Sequence, residues 1–249
     1  MKILSWNING LRAVHKKGFL KWFYKQKPDI VCLQEIKASL DKIPSDFKNL
    51  KGYFSYFNPG SRPGYSGVAL FCKEKPLKVE MSIGLERFDK QGRVIRADFK
   101  KFSLFNFYMV NGGRKKEHMK YKLSSYQYIL DHLRPKKTIL TGDFNIAHKE
   151  IDLARPKQNK NNTGFTAPER RKIDQLISLG FIDAFRKFNK KPGNYTWWTN
   201  FANARQRNLG WRIDYFFCSS DLSSKLKKAF ISSKVMGSDH CPVGIDMDF

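Results

Sequence analysis

Polar side chains suited to metal binding and proton transfer interrupt apolar segments at four places in this sequence. The four groups are Asn7 with Asn9, Glu35, Asp143 with Asn145, and Asp239 with His240. Continuous aliphatic runs beside them are typical of buried strands, and a carboxylate at such a position is costly to bury unless a metal or hydrogen bonds compensate it. The sequence therefore predicts one site, assembled at an edge of packed sheets.

The first two groups are rich in oxygen atoms and suit a hard cation. Mg²⁺ prefers one or two carboxylates together with water and substrate phosphate oxygens. Asn7 and Asn9 alternate with Ile8, so both are expected on one face of the strand. An alternative for Glu35 is an ion pair with Lys37 at the end of its strand.

The other two groups favour hydrolysis. Asp143 could accept a proton from water while the amide of Asn145 orients that water, although an Asx-turn is an alternative for this pair. His240, oriented by Asp239 or Asp214, could stabilise a pentavalent phosphate. The sequence thus supplies the groups required for in-line displacement at phosphorus.

The chain of 249 residues carries a formal charge of +25, and its sequence pI is about 10. Such an excess favours a polyanionic partner, with nucleic acid ahead of an anionic membrane surface. In segment 197–215 aromatic residues alternate with arginines, which fits stacking on bases plus phosphate contact, or a buried tryptophan beside solvated arginines. The four cysteines are dispersed and are predicted to be reduced thiols.

The pattern of strands and helices predicts an α/β protein with two packed mixed sheets and helices outside them. Helices are predicted around Phe19–Phe23, over Tyr121–Leu133, and from a Thr166 cap to Gly180. The predicted strands are Met1–Ile8, Asp29–Gln34, Tyr53–Phe57, Gly67–Lys73, Leu77–Ile83, Val94–Phe99, Leu104–Val110, Thr138–Thr141, Arg212–Cys218, Ala229–Ser232 and Val243–Met247. No repeat or linker divides the chain, so we expect one catalytic domain over residues 1–249.

Six segments, in order along nearly the whole chain, closely resemble the exonuclease III family of apurinic/apyrimidinic (AP) endonucleases. They are Trp6–Ala13, Leu33–Lys37, Gly64–Ala69, Gly142–His148, Gly210–Phe216 and Gly237–Pro242. The resemblance implies a four-layer α/β sandwich of the DNase I-like type. The sequence departs from many members at Val110, where they have proline, and from one branch at Asn9, where that branch is acidic.

The resemblance also implies roles for individual residues. Catalytic roles fall to Tyr108, Asp143, Asn145, Asp214, Asp239 and His240. The metal site would draw on Asn7, Asn9, Glu35, Asp143, Asn145, Asp239 and His240. DNA contacts are implied for Arg12, Lys16, Lys17, Asn111, Arg114, Asn159, Asn162, Trp198, Phe201 and Ile213, with Trp198 closing a pocket for the base-less sugar.

The function implied is Mg²⁺-dependent hydrolysis of the phosphodiester 5′ to an AP site, with Mn²⁺ as a substitute metal. Trimming of blocked 3′ ends and 3′→5′ exonuclease activity are also implied. The alternative is a phosphatase or lipid phosphodiesterase of the same superfamily. The expected partner is double-stranded DNA with abasic sites or blocked 3′ ends, bound by a monomer without membrane attachment. Without a signal peptide, we expect an intracellular protein, cytoplasmic in a prokaryote.

Overall fold

The computed structural model describes all residues from Met1 to Phe249. Twelve strands are Lys2–Asn7 (β1), Ile30–Gln34 (β2), Phe54–Asn58 (β3), Val68–Cys72 (β4), Lys78–Glu80 (β5), Val94–Asp98 (β6), Ser103–Tyr108 (β7), Thr138–Asp143 (β8), Phe181–Asp183 (β9), Asp214–Ser219 (β10), Leu226–Ile231 (β11) and Val243–Met247 (β12). Eight α-helices are Leu11–Lys16 (α1), Phe19–Gln26 (α2), Ser45–Lys48 (α3), Glu86–Lys90 (α4), Met119–His132 (α5), Pro156–Asn159 (α6), Ala167–Ser178 (α7) and Ala184–Phe188 (α8).

The strands form two six-stranded sheets, ordered β11-β12-β1-β2-β4-β3 and β5-β6-β7-β8-β10-β9. Each sheet has one parallel pair near its centre, β1 with β2 and β7 with β8. Parallel strands end at the same edge of a sheet, so Asn7 lies beside Gln34, and Tyr108 lies beside Asp143. Strand β10 runs antiparallel to β8 and places Asp214 opposite Asp143.

The two sheets pack face to face around a core of aliphatic side chains that includes Ile3, Leu70 and Ile139. The outer face of the second sheet is covered mainly by α5 and α7, and that of the first by α1 and α2. The predicted four-layer sandwich is therefore confirmed. None of the helices is long and apolar enough to cross a lipid bilayer.

Most predicted elements lie within a few residues of their observed bounds, and the exceptions have local causes. The helix predicted around Phe19–Phe23 is α2, and it is preceded by a separate helix, α1, from which Gly18, with a φ of 85°, divides it. The strand predicted over Leu77–Ile83 reduces to β5 at a sheet edge, where pairing with only one neighbour supports a shorter strand. Strand β9 and the short helices α1, α3, α4, α6 and α8 were not predicted. All four cysteines are free and buried, as predicted.

Candidate active site

A cavity of about 670 Å³ opens at the edge where β1, β2, β7 and β8 end. Its wall brings together residues from segments more than 200 positions apart. They are Asn9, Glu35, Lys37, Tyr108, Asn111, Arg114, Asp143, Asn145, Asn162, Thr163, Gly164, Trp197, Trp211, Ile213, Asp239 and His240. Four separately predicted polar groups therefore share one site, as the sequence indicated.

Asn7 links the two carboxylates at the floor of the cavity. Its amide nitrogen donates to Glu35 Oε1 and to Asp143 Oδ2, both at 2.9 Å. Its amide oxygen accepts the backbone N–H of Asn9 at 3.1 Å. Asn7 therefore orients carboxylates and does not turn an oxygen toward them as the predicted metal ligand would.

Glu35, Asp143 and His240 form the one cluster that could hold a metal ion, with ligand atoms within 4.8 Å of one another. Two carboxylates at the end of a cavity fit a hard cation that keeps water and takes phosphate oxygens as further ligands. The alternative ion pair of Glu35 is present too, because Lys37 Nζ lies 2.6 Å from Glu35 Oε2. Burial raises the pKa of Glu35, but the charge of Lys37 and the hydrogen bonds from Asn7 and Lys37 outweigh it and lower that pKa.

The backbone is strained where the site residues leave their strands. Asn9, Glu35 and Asn145 adopt positive φ angles of 46°, 54° and 53°. L-residues populate this region rarely, and asparagine tolerates it better than glutamate. Position 142 accepts only glycine: its φ is 126°, and a Cβ there would lie 1.9 Å from the carbonyl oxygen of Phe107. Glycine thus lets β7 and β8 approach each other directly before Asp143.

Asp143 is buried and has an unusual affinity for protons. Burial and the charge of Asp214 raise the pKa of Asp143 to about 7, although the charge of His240 acts to lower it. Asp143 Oδ1 accepts the backbone N–H of Asn145 at 2.8 Å. A carboxylate with a pKa near neutrality can accept a proton from water at ordinary pH.

His240 faces Asp143 and is held from behind by Asp214. Its Nδ1 lies 2.9 Å from Asp214 Oδ2, and its Nε2 lies 3.9 Å from Asp143 Oδ2. Burial acts to lower the pKa of His240, but the carboxylates of Asp214, Asp143 and Asp239 outweigh it and raise that pKa to about 10. Because Asp214 holds Nδ1, the predicted phosphate-stabilising and metal-binding roles of the ring would both fall to Nε2, the atom that faces Asp143.

Asp239 lies on the wall of the cavity and is not part of the Glu35 cluster. It accepts hydrogen bonds from Asn9 Nδ2 and from Trp197 Nε1, both at 3.0 Å. Lys37 Nζ donates to the oxygen of Asn9 at 2.5 Å. Asn9 and Asp239 therefore line the site that was predicted for them, in contact with each other.

Asn145 and Tyr108 complete the polar wall. Asn145 accepts from Asn111 Nδ2 and donates to the carbonyl of Met109, both at 2.9 Å, so its amide orientation is fixed. Burial and the charge of Glu35 raise the pKa of Tyr108, which keeps a neutral hydroxyl at the cavity. The guanidinium of Arg93 covers the Tyr108 ring at 4.7 Å.

A buried ion pair that the sequence analysis missed holds the backbone behind Asn145. Lys122 Nζ donates at 2.6 Å both to the carbonyl of Asn145 and to Glu169, and both charged side chains are fully buried. Glu169 in turn accepts the backbone N–H groups of Gly164 and Thr166, as the predicted capping of α7 requires. Helical spacing placed Lys122 on α5 but could not indicate which strand end it reaches.

The predicted sugar-pocket aromatic needs correction. Trp198 does not line the cavity, because its ring packs against Tyr195, Ala204 and Cys241. Phe201 is also outside it, with 80% of its surface exposed on a turn. The aromatic wall is formed instead by Trp197 and Trp211, which the sequence analysis did not assign to the sugar, with Ile213 beside them as predicted.

The residues predicted to contact DNA are divided between the cavity and its surroundings. Asn111, Arg114 and Asn162 line the cavity. Asn159 lies behind Asn162, from which it accepts a hydrogen bond at 2.8 Å. The remaining cations lie outside the cavity wall, on or just after α1, with exposed side chains: Arg12, Lys16 and Lys17.

Comparison with known proteins places this geometry among nucleases. Residues 4–240 match the model of the endonuclease/exonuclease/phosphatase family. The chain is 44% identical to an exodeoxyribonuclease of Bacillus subtilis, covering 98% of each sequence, and 44% identical to the DNA repair nuclease APEX1 of Danio rerio, covering 98% of the chain and 81% of that protein.

Solved structures are similar over the full length. An AP endonuclease from Archaeoglobus fulgidus superposes with a TM-score of 0.90 at 29% identity, with each chain fully covered. A 3′ phosphatase from Neisseria, bound to a product DNA hairpin, gives a TM-score of 0.89 at 28% identity, again with full coverage of both.

Proposed function

Because the chain belongs to the endonuclease/exonuclease/phosphatase family, we propose that it is a DNA repair nuclease that hydrolyses the phosphodiester 5′ to an abasic site and leaves a 3′-hydroxyl. The observation that carries the proposal is the pairing of acid and base groups in one cavity. Asp143 has a pKa raised to about 7, and His240 beside it has a pKa raised to about 10. Between these two pKa values the carboxylate is unprotonated and the ring is protonated, which separates the roles of base and charged donor.

The donor set fits a divalent cation, and Mg²⁺ is the one we propose. Glu35 would hold it together with water and phosphate oxygens, and when bound it would neutralise charge on the phosphate. The Glu35 carboxylate is already oriented by Asn7, so little rearrangement is required of the protein.

The side chains of this chain then divide the work. Asp143 accepts the proton of the attacking water, and Asn145, fixed by Asn111 and Met109, orients that water. His240 donates from Nε2 to a phosphate oxygen as negative charge develops there, while Asp214 holds Nδ1 and stabilises the ring's charge. The buried Tyr108 hydroxyl provides a further donor.

The aromatic wall supports the abasic substrate in particular. Trp197, Trp211 and Ile213 offer an apolar surface for a sugar without a base. An abasic nucleotide lacks the stacking of an intact one, so turning it out of the helix costs a few kcal/mol less. The charge of +25 would supply affinity for the phosphates of the surrounding duplex.

A second activity at the same site, removal of blocking groups from 3′ ends, is favoured by the likeness to the Neisseria 3′ phosphatase. A 3′-phosphate requires the same attack on phosphorus and the same stabilisation by His240. We therefore include 3′-end trimming and 3′→5′ exonuclease activity in the proposal.

Incision of a duplex with one tetrahydrofuran site tests the proposal. We expect Mg²⁺-dependent cleavage on the 5′ side, giving a product that a polymerase extends, and loss of at least 10²-fold in rate for Asp143→Asn. The 3′-phosphate duplex, a phosphoinositide and sphingomyelin are assayed in parallel. Turnover of a lipid substrate without incision would identify the alternative function, and more than about a tenth of wild-type rate in Asp143→Asn would remove that residue from the mechanism.

A further inference from the structure

Arg205 is a partly exposed side chain whose hydrogen bonds all go to backbone carbonyls, and it packs against the buried ring of Trp198. The Arg205 guanidinium covers the buried Trp198 ring at 4.6 Å. Its Nη1 donates to the carbonyl of Ser238 at 2.9 Å, and its Nη2 donates to the carbonyls of Ser233 at 2.9 Å and Val235 at 2.6 Å. One side chain thus binds three carbonyls of the segment between β11 and His240.

This arrangement is not an ordinary ion pair. No carboxylate takes part, since Arg205 belongs to none of the ion pairs of the structure, and its Nε is buried without a partner. Charge-assisted hydrogen bonds to carbonyls and the contact with an indole face offset the loss of hydration. The orientation of the guanidinium is therefore set by the backbone of residues 233–238.

That backbone segment leads directly into the active site. It has no helix or strand of its own, and its last residue, Ser238, precedes Asp239 and His240. Ser238 Oγ donates to the carbonyl of Asn7 at 2.8 Å, and the backbone N–H of Trp198 donates to the backbone carbonyl of Asp239 at 3.1 Å. A shift of Ser238 would therefore move both the carboxylate of Asp239 and the imidazole of His240.

We propose that Arg205, held against Trp198, is a positioning residue that fixes segment 233–238 so that Asp239 and His240 face the cavity. The inference rests on the proposed function only for its catalytic consequence. Arg205 itself touches neither the cavity nor any reacting atom.

Steady-state kinetics on the tetrahydrofuran duplex separate positioning from DNA contact. Displacement of catalytic groups by about 1 Å costs on the order of 10²-fold in rate, so Arg205→Ala should lower kcat between about 10-fold and 100-fold with KM and the salt dependence of binding unchanged. Arg205→Lys keeps the charge and part of the hydrogen bonding, so its loss should be smaller. The matched control is Arg207→Ala, which removes an exposed guanidinium from the same turn, where it makes only a 3.4 Å contact with the carbonyl of Ala202.

Chemical rescue provides a readout that a merely structural role would not move. A separate cavity of about 320 Å³ is lined by both Arg205 and Trp198, so a small cation can enter where the side chain is removed. Millimolar guanidinium should restore part of kcat in Arg205→Ala, whereas sodium at equal ionic strength should not. Neither salt should raise kcat in Arg207→Ala.

Hydrogen exchange without DNA makes the result independent of the proposed activity. Amides of residues 233–241 should exchange faster in Arg205→Ala than in wild type or Arg207→Ala. Failure of wild type to incise DNA would overturn the proposed function, while the exchange data still judge Arg205. Unchanged exchange, a raised KM with unchanged kcat, or equal effects of Arg207→Ala would each overturn the positioning role, and Arg205→Lys supplies the same measurements if the alanine variant does not fold.

Discussion

Replacing Asp214 with asparagine should move the whole pH–rate profile to lower pH. Asp214 Oδ2 lies 2.9 Å from His240 Nδ1, and its charge is the largest influence that raises the pKa of His240 to about 10. Burial together with the same charge raises the pKa of Asp143 to about 7. Asparagine keeps a hydrogen-bond acceptor at this position but removes the charge from both neighbours.

The expected loss of rate in Asp214→Asn follows from the protonated fraction of His240. If its pKa returned fully to 6.5, only about one ring in 30 would be protonated at pH 8, against nearly all in wild type. The protonation loss is therefore up to about 30-fold at pH 8 and less than about twofold at pH 6. The pKa of Asp143 also falls in this variant, so the acidic limb of the pH–rate profile should move to lower pH as well. The variant should therefore lose least activity near pH 6.

The assay is kcat/KM on the tetrahydrofuran duplex between pH 5.5 and 10 at saturating metal. The matched control is Asp174→Asn, which removes the carboxylate 2.8 Å from the buried His148 outside the cavity and should leave the profile in place. An alkaline limb at the wild-type position in Asp214→Asn, or an equal loss at every pH, would refute the electrostatic argument.

The raised pKa of His240 should also make the stability of the fold decrease at alkaline pH. The pKa of His240 is raised in the folded state, so its charge stabilises the fold fully below about pH 6.5, and this stabilisation is lost as pH rises through about 10. Asp214→Asn should therefore flatten the alkaline decrease in melting temperature between these values. A decrease identical to that of wild type would contradict the raised pKa.

Three further outcomes test the metal, the pocket and the DNA path. Glu35→Gln should raise the Mg²⁺ concentration for half-maximal rate about tenfold or more, because one of two cluster carboxylates is lost, whereas Glu80→Gln on the distant edge strand should not. Trp197→Ala should reduce discrimination between abasic and undamaged duplex by removing part of the apolar wall, without changing the salt dependence of binding measured by fluorescence anisotropy. Arg12→Ala should lower the slope of log affinity against log salt by about one unit, as one phosphate contact is lost, whereas Lys75→Ala, after β4 at the opposite sheet edge, should leave it unchanged.

Each of these outcomes has a result that would exclude its premise. An unchanged Mg²⁺ titration would make Glu35 a purely structural residue. Full damage selectivity in Trp197→Ala would remove that ring from the sugar pocket. Equal slopes for wild type and Arg12→Ala would place the DNA path away from α1.

The sequence by itself determined the strands that carry the site and approximately where each of them ends. Apolar runs such as Thr138–Thr141 fixed the strands, because a buried strand must be apolar on both faces. A polar residue directly after such a run lies at a sheet edge whatever else the chain does. For this reason Glu35, Asp143 and Asn145 could be assigned to one site from their positions along the chain.

Only the tertiary structure decided which side chains enter the cavity. Trp197 and Trp198 are adjacent, equally aromatic and equally close to arginines, so composition could not separate them. The structure turns Trp197 toward Asp239 and buries Trp198 beneath Arg205. Likewise, Asn7 offers both a donor and an acceptor, and only its neighbours show that the donor faces the carboxylates.

The proton affinities also depended on the assembled structure. His240 and Asp214 are 26 residues apart, and Asp143 is nearly 100 residues from His240. Even so, burial and the charge of Asp214 raise the pKa of Asp143 to about 7, and the carboxylates of Asp214, Asp143 and Asp239 raise that of His240 to about 10. Electrostatic energy depends on distance and burial, neither of which a sequence records. Residue types thus named the groups that could react, while packing of the two sheets determined their distances, their burial and hence the proton affinities on which the proposed roles rest.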